Sequence, residues 1–254
     1  MNSADACPRT QAVARSFGRR AKEYIRHAHL QRHAAEGLAD FLRQSGGLPE
    51  TGLVAEIGCG TGLLTELLAT PGRPYLATDL SPEMLDQCRA RLGQRPDLSF
   101  AVLDGQKAVF APAPAAIVSN LTCQWFADPV AGIARLAGLA PVLAFSIPLA
   151  GSFPEWEAAF TEMGRVSGLL PLPHEDAVLA ALRAPGPVVL AQRVEEHRQH
   201  FPSATAFADS FRLIGADQPR QGYSPAAIRP VLKRFAGGLD ATARILYCIV
   251  RRDA

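Results

Sequence analysis

An acid and three alternating glycines form the part of this sequence best suited to hold a ligand: Glu56, Gly58, Gly60 and Gly62, in the run Val54-Ala55-Glu56-Ile57-Gly58-Cys59-Gly60-Thr61-Gly62. Alternate glycines let the backbone turn sharply and bring bare N–H groups, with Cys59 between them, against a ligand with no Cβ in the way. A second acid, Asp79, closes the apolar run Tyr75-Leu76-Ala77-Thr78 and is followed by Leu80. It lies about 20 residues beyond the glycines, where an acid in a doubly wound sheet bonds the ribose hydroxyls of an adenosine ligand. Asp104 with Gly105, and Asn120, end two further apolar runs. The glycine spacing argues against a dinucleotide, because G-x-G-x-x-G begun at Gly58 would place its third glycine at position 63, which is Leu63.

These residues need strands and helices to position them. The glycine run passes from a β-branched segment into the helical series Leu63, Leu64, Leu67, Leu68, which reads as strand, tight turn and helix. After Asp79, Ser81 caps a helix with Pro82 at its first position and Glu83 in its first turn. Strands are predicted at 98–102, 115–120 and 142–147, with a helix over 129–139 between the last two. Upstream, Val13, Phe17, Ala21, Tyr24, Ala28, Leu38 and Leu42 describe one or two amphipathic helices ending at Ser45-Gly46-Gly47. The alternation gives an α/β chain with a mostly parallel, Rossmann-like sheet and helices on both faces, ligands lying at the carboxyl ends of the strands. Past Pro148 the pattern changes: a short helix around Trp156 and Phe160, a strand over 188–200 leaving the core, helices over 203–216 and 225–235, and a last strand over 243–250. The expected organisation is a helical lid at 1–47, a ligand-binding core at 48–147, an acceptor-side cap at 148–222, and a helix and strand at 223–254 completing the sheet.

Composition excludes several classes. With 254 residues and 48% hydrophobic content the chain has ample core for a soluble globular protein, and a net charge of +2 gives no ground for a nucleic-acid partner. Five cysteines without a C-x-x-C indicate neither a disulfide framework nor a zinc site. His27, His29 and His33 share a helix but find no further ligand at useful spacing, so no metal is expected. The uncharged run Leu136 to Pro154 is interrupted by Pro141 and Pro148, which argues against a membrane span. The expectation is a cytoplasmic protein. Charge is locally uneven: residues 1–43 carry eight Lys/Arg against four Asp/Glu.

The run E-x-G-x-G-x-G resembles motif I of the class I S-adenosylmethionine (SAM) methyltransferases. Its flanks narrow the resemblance. Ser16-Phe17-Gly18-Arg19-Arg20-Ala21-Lys22-Glu23-Tyr24 followed by His27-Ala28-His29-Leu30-Gln31, then Ser119-Asn120-Leu121-Thr122-Cys123-Gln124-Trp125, Gly151-Ser152-Phe153, Ile214-Gly215-Ala216 and the closing 246–251 segment resemble the BioC family, the malonyl-[acyl-carrier protein] O-methyltransferases of biotin synthesis. The match covers nearly the whole chain. It departs at Ala113-Pro114-Ala115-Ala116, where the family carries a Phe-Asp pair, at 137–141, where it carries a Lys-Pro-Gly-Gly turn, and at Asp209, near where it carries a second basic residue.

The resemblance implies a SAM-dependent O-methyltransferase that esterifies the free carboxylate of malonyl-acyl carrier protein, so that fatty-acid enzymes can elongate it toward pimeloyl. It further implies that Glu56, Gly58, Cys59, Gly60 and Gly62 shape the methionine and ribose end of the cofactor pocket. Asp79 would hold the ribose with Leu80 among the cofactor-binding residues, Met84 would border the adenine, Asp104 would take its amino group with Gly105 beside it, and Asn120 would complete the pocket. Tyr24 would close over the methyl donor, Gln124 and Trp125 would line the acceptor side, and Arg212 would grip the malonyl carboxylate, since a guanidinium can hold a carboxylate through two bonds. Each has a plainer alternative: core packing for Tyr24 and Trp125, a turn for Asp104, a surface ion pair for Arg212. Two other functions stay open on the same core: methylation of another small carboxylic acid or a quinone-type acceptor, or SAM binding without turnover.

Overall fold

The computed structural model describes residues 8–183, 187–216, 223–224, 226 and 228–252. Its frame is a seven-stranded sheet in the order β3-β2-β1-β4-β5-β7-β6. The strands are β1 (Val54–Ile57), β2 (Tyr75–Asp79), β3 (Leu98–Val102), β4 (Ala116–Asn120), β5 (Val142–Pro148), β6 (Pro187–Phe201) and β7 (Leu239–Arg252). β1 to β5 are parallel, and β7 runs antiparallel to both β5 and β6. Every residue of β1 and β5 is buried, as central parallel strands covered on both faces must be. The order reverses direction at β1, and the glycine run and Asn120 leave β1 and β4 at that switch point, where a crevice opens for a ligand.

Two helices open the described chain, α1 (Pro8–His27) and α2 (His29–Gln44), so the amphipathic series breaks at Ala28. Val13, Ala21 and Tyr24 of α1 are buried while its basic residues point outward. α2 buries Ala34, Ala35, Leu38, Ala39, Phe41 and Leu42 in one stripe against the sheet side that also receives α3 (Leu63–Leu68) and α4 (Pro82–Leu92). α5 (Pro129–Ala137) and α7 (Glu175–Leu182) cover the opposite face. A third, aromatic core around Trp156, Phe160 and Phe207 joins α6 (Pro154–Thr161), α8 (Ala204–Ile214) and α9 (Ile228–Arg234) to the outer part of β6–β7.

β7 is longer than expected, beginning at Leu239 rather than 243, whereas β6 matches its expected span within a residue at each end and does two things. Its first half extends the main sheet, while Glu196 to Phe201 pair with Leu239 to Arg244 beyond the end of β5, so the ribbon leaves the core as the pattern suggested. α7 was not anticipated from the sequence. Residues 225 and 227 of the expected 225–235 helix, the 217–222 end of the expected cap, and Cys7 lie outside the described residues. The departures at 113–116 and 137–141 fall at the edges of β4, α5 and β5, on scaffold positions. α8 ends at Gly215, which has φ +82, and a Cβ there would lie 2.8 Å from the Phe17 backbone. Only glycine lets α8 close this tightly onto α1.

Candidate active site

The carboxyl ends of β1, β2 and β4 and the inner face of α1 enclose a cavity of about 900 Å³, counting its open mouth. Its floor is the glycine loop. A Cβ on Gly58, whose φ is +71, would overlap the Thr122 side chain, and Thr122 Oγ1 in turn donates to Gly58 O at 3.1 Å. Gly60 N–H donates to Asp79 Oδ2 at 2.9 Å, which ties the loop to β2, and its Cα faces open space. Gly62 caps α3 from beneath rather than lining the cavity.

Three carboxylates face this cavity: Glu56, Asp79 and Asp104. Glu56 Oε2 accepts from Thr65 Oγ1 at 2.6 Å and Tyr75 OH at 2.8 Å, yet burial outweighs both donors and pushes the carboxyl up to about 7. Asp79 is also raised by burial, and backbone N–H donors from Ser81, Gly60 and Leu80 work against the rise. Asp104 Oδ1 caps the short 3₁₀ turn Gly105–Lys107 through Gln106 N–H at 3.0 Å. Its Oδ2 is buried with no partner. A buried acceptor left unpaired is costly, so this atom is built for a donor that arrives with the ligand.

Aromatic rings roof the cavity. Tyr24 lies 6.2 Å from Phe17, and Phe17 meets Trp125 edge-on at 5.3 Å. Burial, and secondly the charge of Asp79, hold the Tyr24 phenol well above its ordinary pKa, so it stays protonated and acts as a hydrogen-bond donor. The roof is latched at two points. Asn120 Nδ2 donates to Gln31 O at 3.0 Å while its Oδ1 accepts from Ser146 at 2.6 Å, and Gln106 links Thr10 of α1 to the backbone of Ala127. Leu121, between Asn120 and Thr122, has φ +44, a strained backbone of the kind that collects at functional sites.

The cavity therefore brings together Tyr24, Glu56, Gly58, Cys59, Gly60, Asp79, Leu80, Met84, Asp104, Gly105, Asn120 and Trp125. It does not include Gln124, which is buried behind it and donates to Leu121 O at 2.6 Å. Nor does it include Arg212, whose side chain is 56% exposed on α8 and paired with Asp209 at 2.9 Å. Sequence reasoning missed Gln31, Gln106 and Thr122, which line the wall. Thr122 and Gln31 lie within the segments that carry the family resemblance, and that was the only signal for them. No Lys, Arg or His lines the cavity among the described residues.

Three acids with no cation among the lining residues favour a positively charged ligand, and the unpaired Asp104 oxygen suits an amino group. The residues thus fit SAM, a sulfonium with an adenine at one end. When bound, it supplies an electrophilic methyl group. Residues 54–140 match the family described as "Methyltransferase domain". The chain is 37% identical over 243 residues to the biotin biosynthesis bifunctional protein BioCD of Bordetella avium, with 89% of this chain covered. It spans about half the length of that relative, 49%. It is 33% identical over 261 residues to the malonyl-[acyl-carrier protein] O-methyltransferase of Magnetococcus marinus, covering 96% of this chain and 94% of the other. In fold it is similar to the magnesium protoporphyrin IX methyltransferase of Synechocystis PCC 6803 solved with bound SAM, at a TM-score of 0.53 and 16% identity, covering 92% and 84% of the two chains. On the near full-length identity, the class I sheet order and the acid-lined cavity, this SAM-dependent methyltransferase belongs to the malonyl-[acyl-carrier protein] O-methyltransferase family.

Proposed function

We propose that the chain transfers a methyl group from SAM to the free carboxylate of a malonyl group carried on acyl carrier protein. The observation that carries this reading is the 33% identity over 96% of the chain to a relative of that name. The chemistry of the cavity is compatible with it. A carboxylate is ionised at neutral pH and needs no general base, and Tyr24, protonated and buried, offers a donor to orient it. What remains is alignment and exclusion of water, tasks for the Phe17, Tyr24 and Trp125 roof. In this reading residues 1–47 are the lid, 48–147 the SAM-binding core, 148–222 the acceptor-side cap, and 223–254 the part that completes the sheet.

The carrier would meet α1. Arg15, Arg19, Arg20, Lys22 and Arg26 are exposed on its outer face, with Glu23 beside them, and acyl carrier protein is acidic. The other basic pair, Lys233 and Arg234, is a smaller candidate, with two basic residues against five; Arg234 pairs with Glu162 as Arg26 pairs with Glu23. The test is incubation with SAM and malonyl-acyl carrier protein, followed by mass spectrometry for one added methyl on the malonyl group. The exposed position of Arg212 favours a second reading, methylation of another small carboxylic acid. Preference for free acids over the carrier thioester would identify that case.

A further inference from the structure

A second cavity, of about 460 Å³ with its mouth, lies between α8, the outer part of the β6–β7 ribbon and the α1–α2 junction. Gln31 lines both cavities and stands between them. Their chemistries differ. The first holds three carboxylates and no cation, whereas the second holds His27, His29 and His197 and no carboxylate among the described residues. The second is otherwise aromatic, with Phe153, Phe207 and Phe211 packed edge-to-face, interrupted by the polar side chains of Gln199 and Ser210. Ala241 and Ala243 of β7 leave its floor open. At its near end His27 follows Arg26 of the exposed basic face.

We propose that this second cavity is the channel for the acceptor's pantetheine thioester arm, with Gln31 positioning the malonyl end at the junction with the methyl donor. The inference rests on the carrier-bound acceptor proposed above. An arm that alternates methylene runs with amides matches a lining of aromatic rings interspersed with Gln, Ser and His. The linings sort the two substrates: acids around the cationic donor, aromatic rings and uncharged polar groups around the neutral arm. The arm would run from a carrier docked on α1, past His27, to Gln31. This also accounts for a carboxylate acceptor without Arg212: the arm brings the carboxylate into place, so no guanidinium is needed at the reacting end.

The test uses malonyl-pantetheine as probe and the full chain, with calorimetry for binding and mass spectrometry for product. Ala243→Leu fills the floor of the channel; Ser210→Phe, on half-buried helix surface, carries the same test should the first variant not fold. The expected result is binding of the probe by the wild type, weakened about tenfold in either variant, with SAM affinity held within about twofold. Gln31→Ala should lower kcat more than it weakens the probe, as loss of positioning does. Unchanged probe affinity in the filled variants, with product still formed, would overturn the channel and leave the methylation reading standing. Probe binding that is lost in the variants, without any methyl ester from the wild type, would uphold the channel and overturn that reading.

Discussion

At the scale of the residue, Glu56 couples the site to pH. Its carboxyl titrates at about 7 when folded, against 4.5 as an ordinary side chain. Between those values the folded chain holds a proton that the unfolded chain has released. The contribution of Glu56 to stability is therefore greatest below the ordinary value and declines as pH rises toward 7, by up to about 3 kcal/mol. Melting temperatures measured from pH 5 to pH 8 should fall more steeply for the wild type than for Glu56→Gln; parallel curves would show that Glu56 does not carry the effect. A cationic ligand beside Glu56 favours its ionised form, so SAM binding should release a proton near neutrality and tighten as pH rises from 6 to 8. Calorimetry in buffers of different ionisation enthalpy reads that proton directly. Asp104 makes a separate prediction. Asp104→Asn keeps an oxygen for the Gln106 cap but replaces one acceptor with a donor, and SAM affinity should fall about tenfold while the melting temperature changes little.

At the scale of the element, α1 is held against its neighbours by specific close contacts. Gly215 is one of them. A side chain there meets both a left-handed backbone and the α1 chain at 2.8 Å, so Gly215→Ala should cost about 1–3 kcal/mol and expose α1 to proteolysis. Ordinary melting and digestion would mean that α8 gives way easily. The elements also show why sequence reading succeeds in some places and not in others. The β1 turn was legible because its glycines have no other plausible use, and the α4 start because Ser81-Pro82-Glu83 is a cap written locally. α7 was not, since His174 makes no side-chain cap and two prolines, Pro171 and Pro173, stand before it. Arg212 was misleading for a tertiary reason: whether a helix residue faces a cavity or a neighbouring Asp209 depends on how α8 docks. Gln31 and Gln106 follow the same logic, as polar helix and loop residues whose use is decided by what packs beside them.

At the scale of the whole molecule, polar groups are sorted by region. Basic side chains line the outside of α1, acids line the first cavity, and imidazoles the second. Docking of an acidic carrier on α1 would be screened by salt, over about 8 Å at physiological ionic strength. Raising the salt should therefore lower kcat/KM for the carrier-bound acceptor and leave the value for malonyl-pantetheine nearly unchanged. Equal sensitivity of both substrates would remove α1 as the docking face. Among the described residues no helix is long and apolar enough to cross a membrane.

The acid-lined cavity also bears on what happens after the reaction. Methyl transfer turns a sulfonium into a neutral thioether, so the spent cofactor leaves with one positive charge fewer than its precursor brought in. Glu56, Asp79 and Asp104 attract the first more than the second. Each turnover thus weakens the grip of the pocket on its own by-product, and fresh cofactor gains an advantage in displacing it.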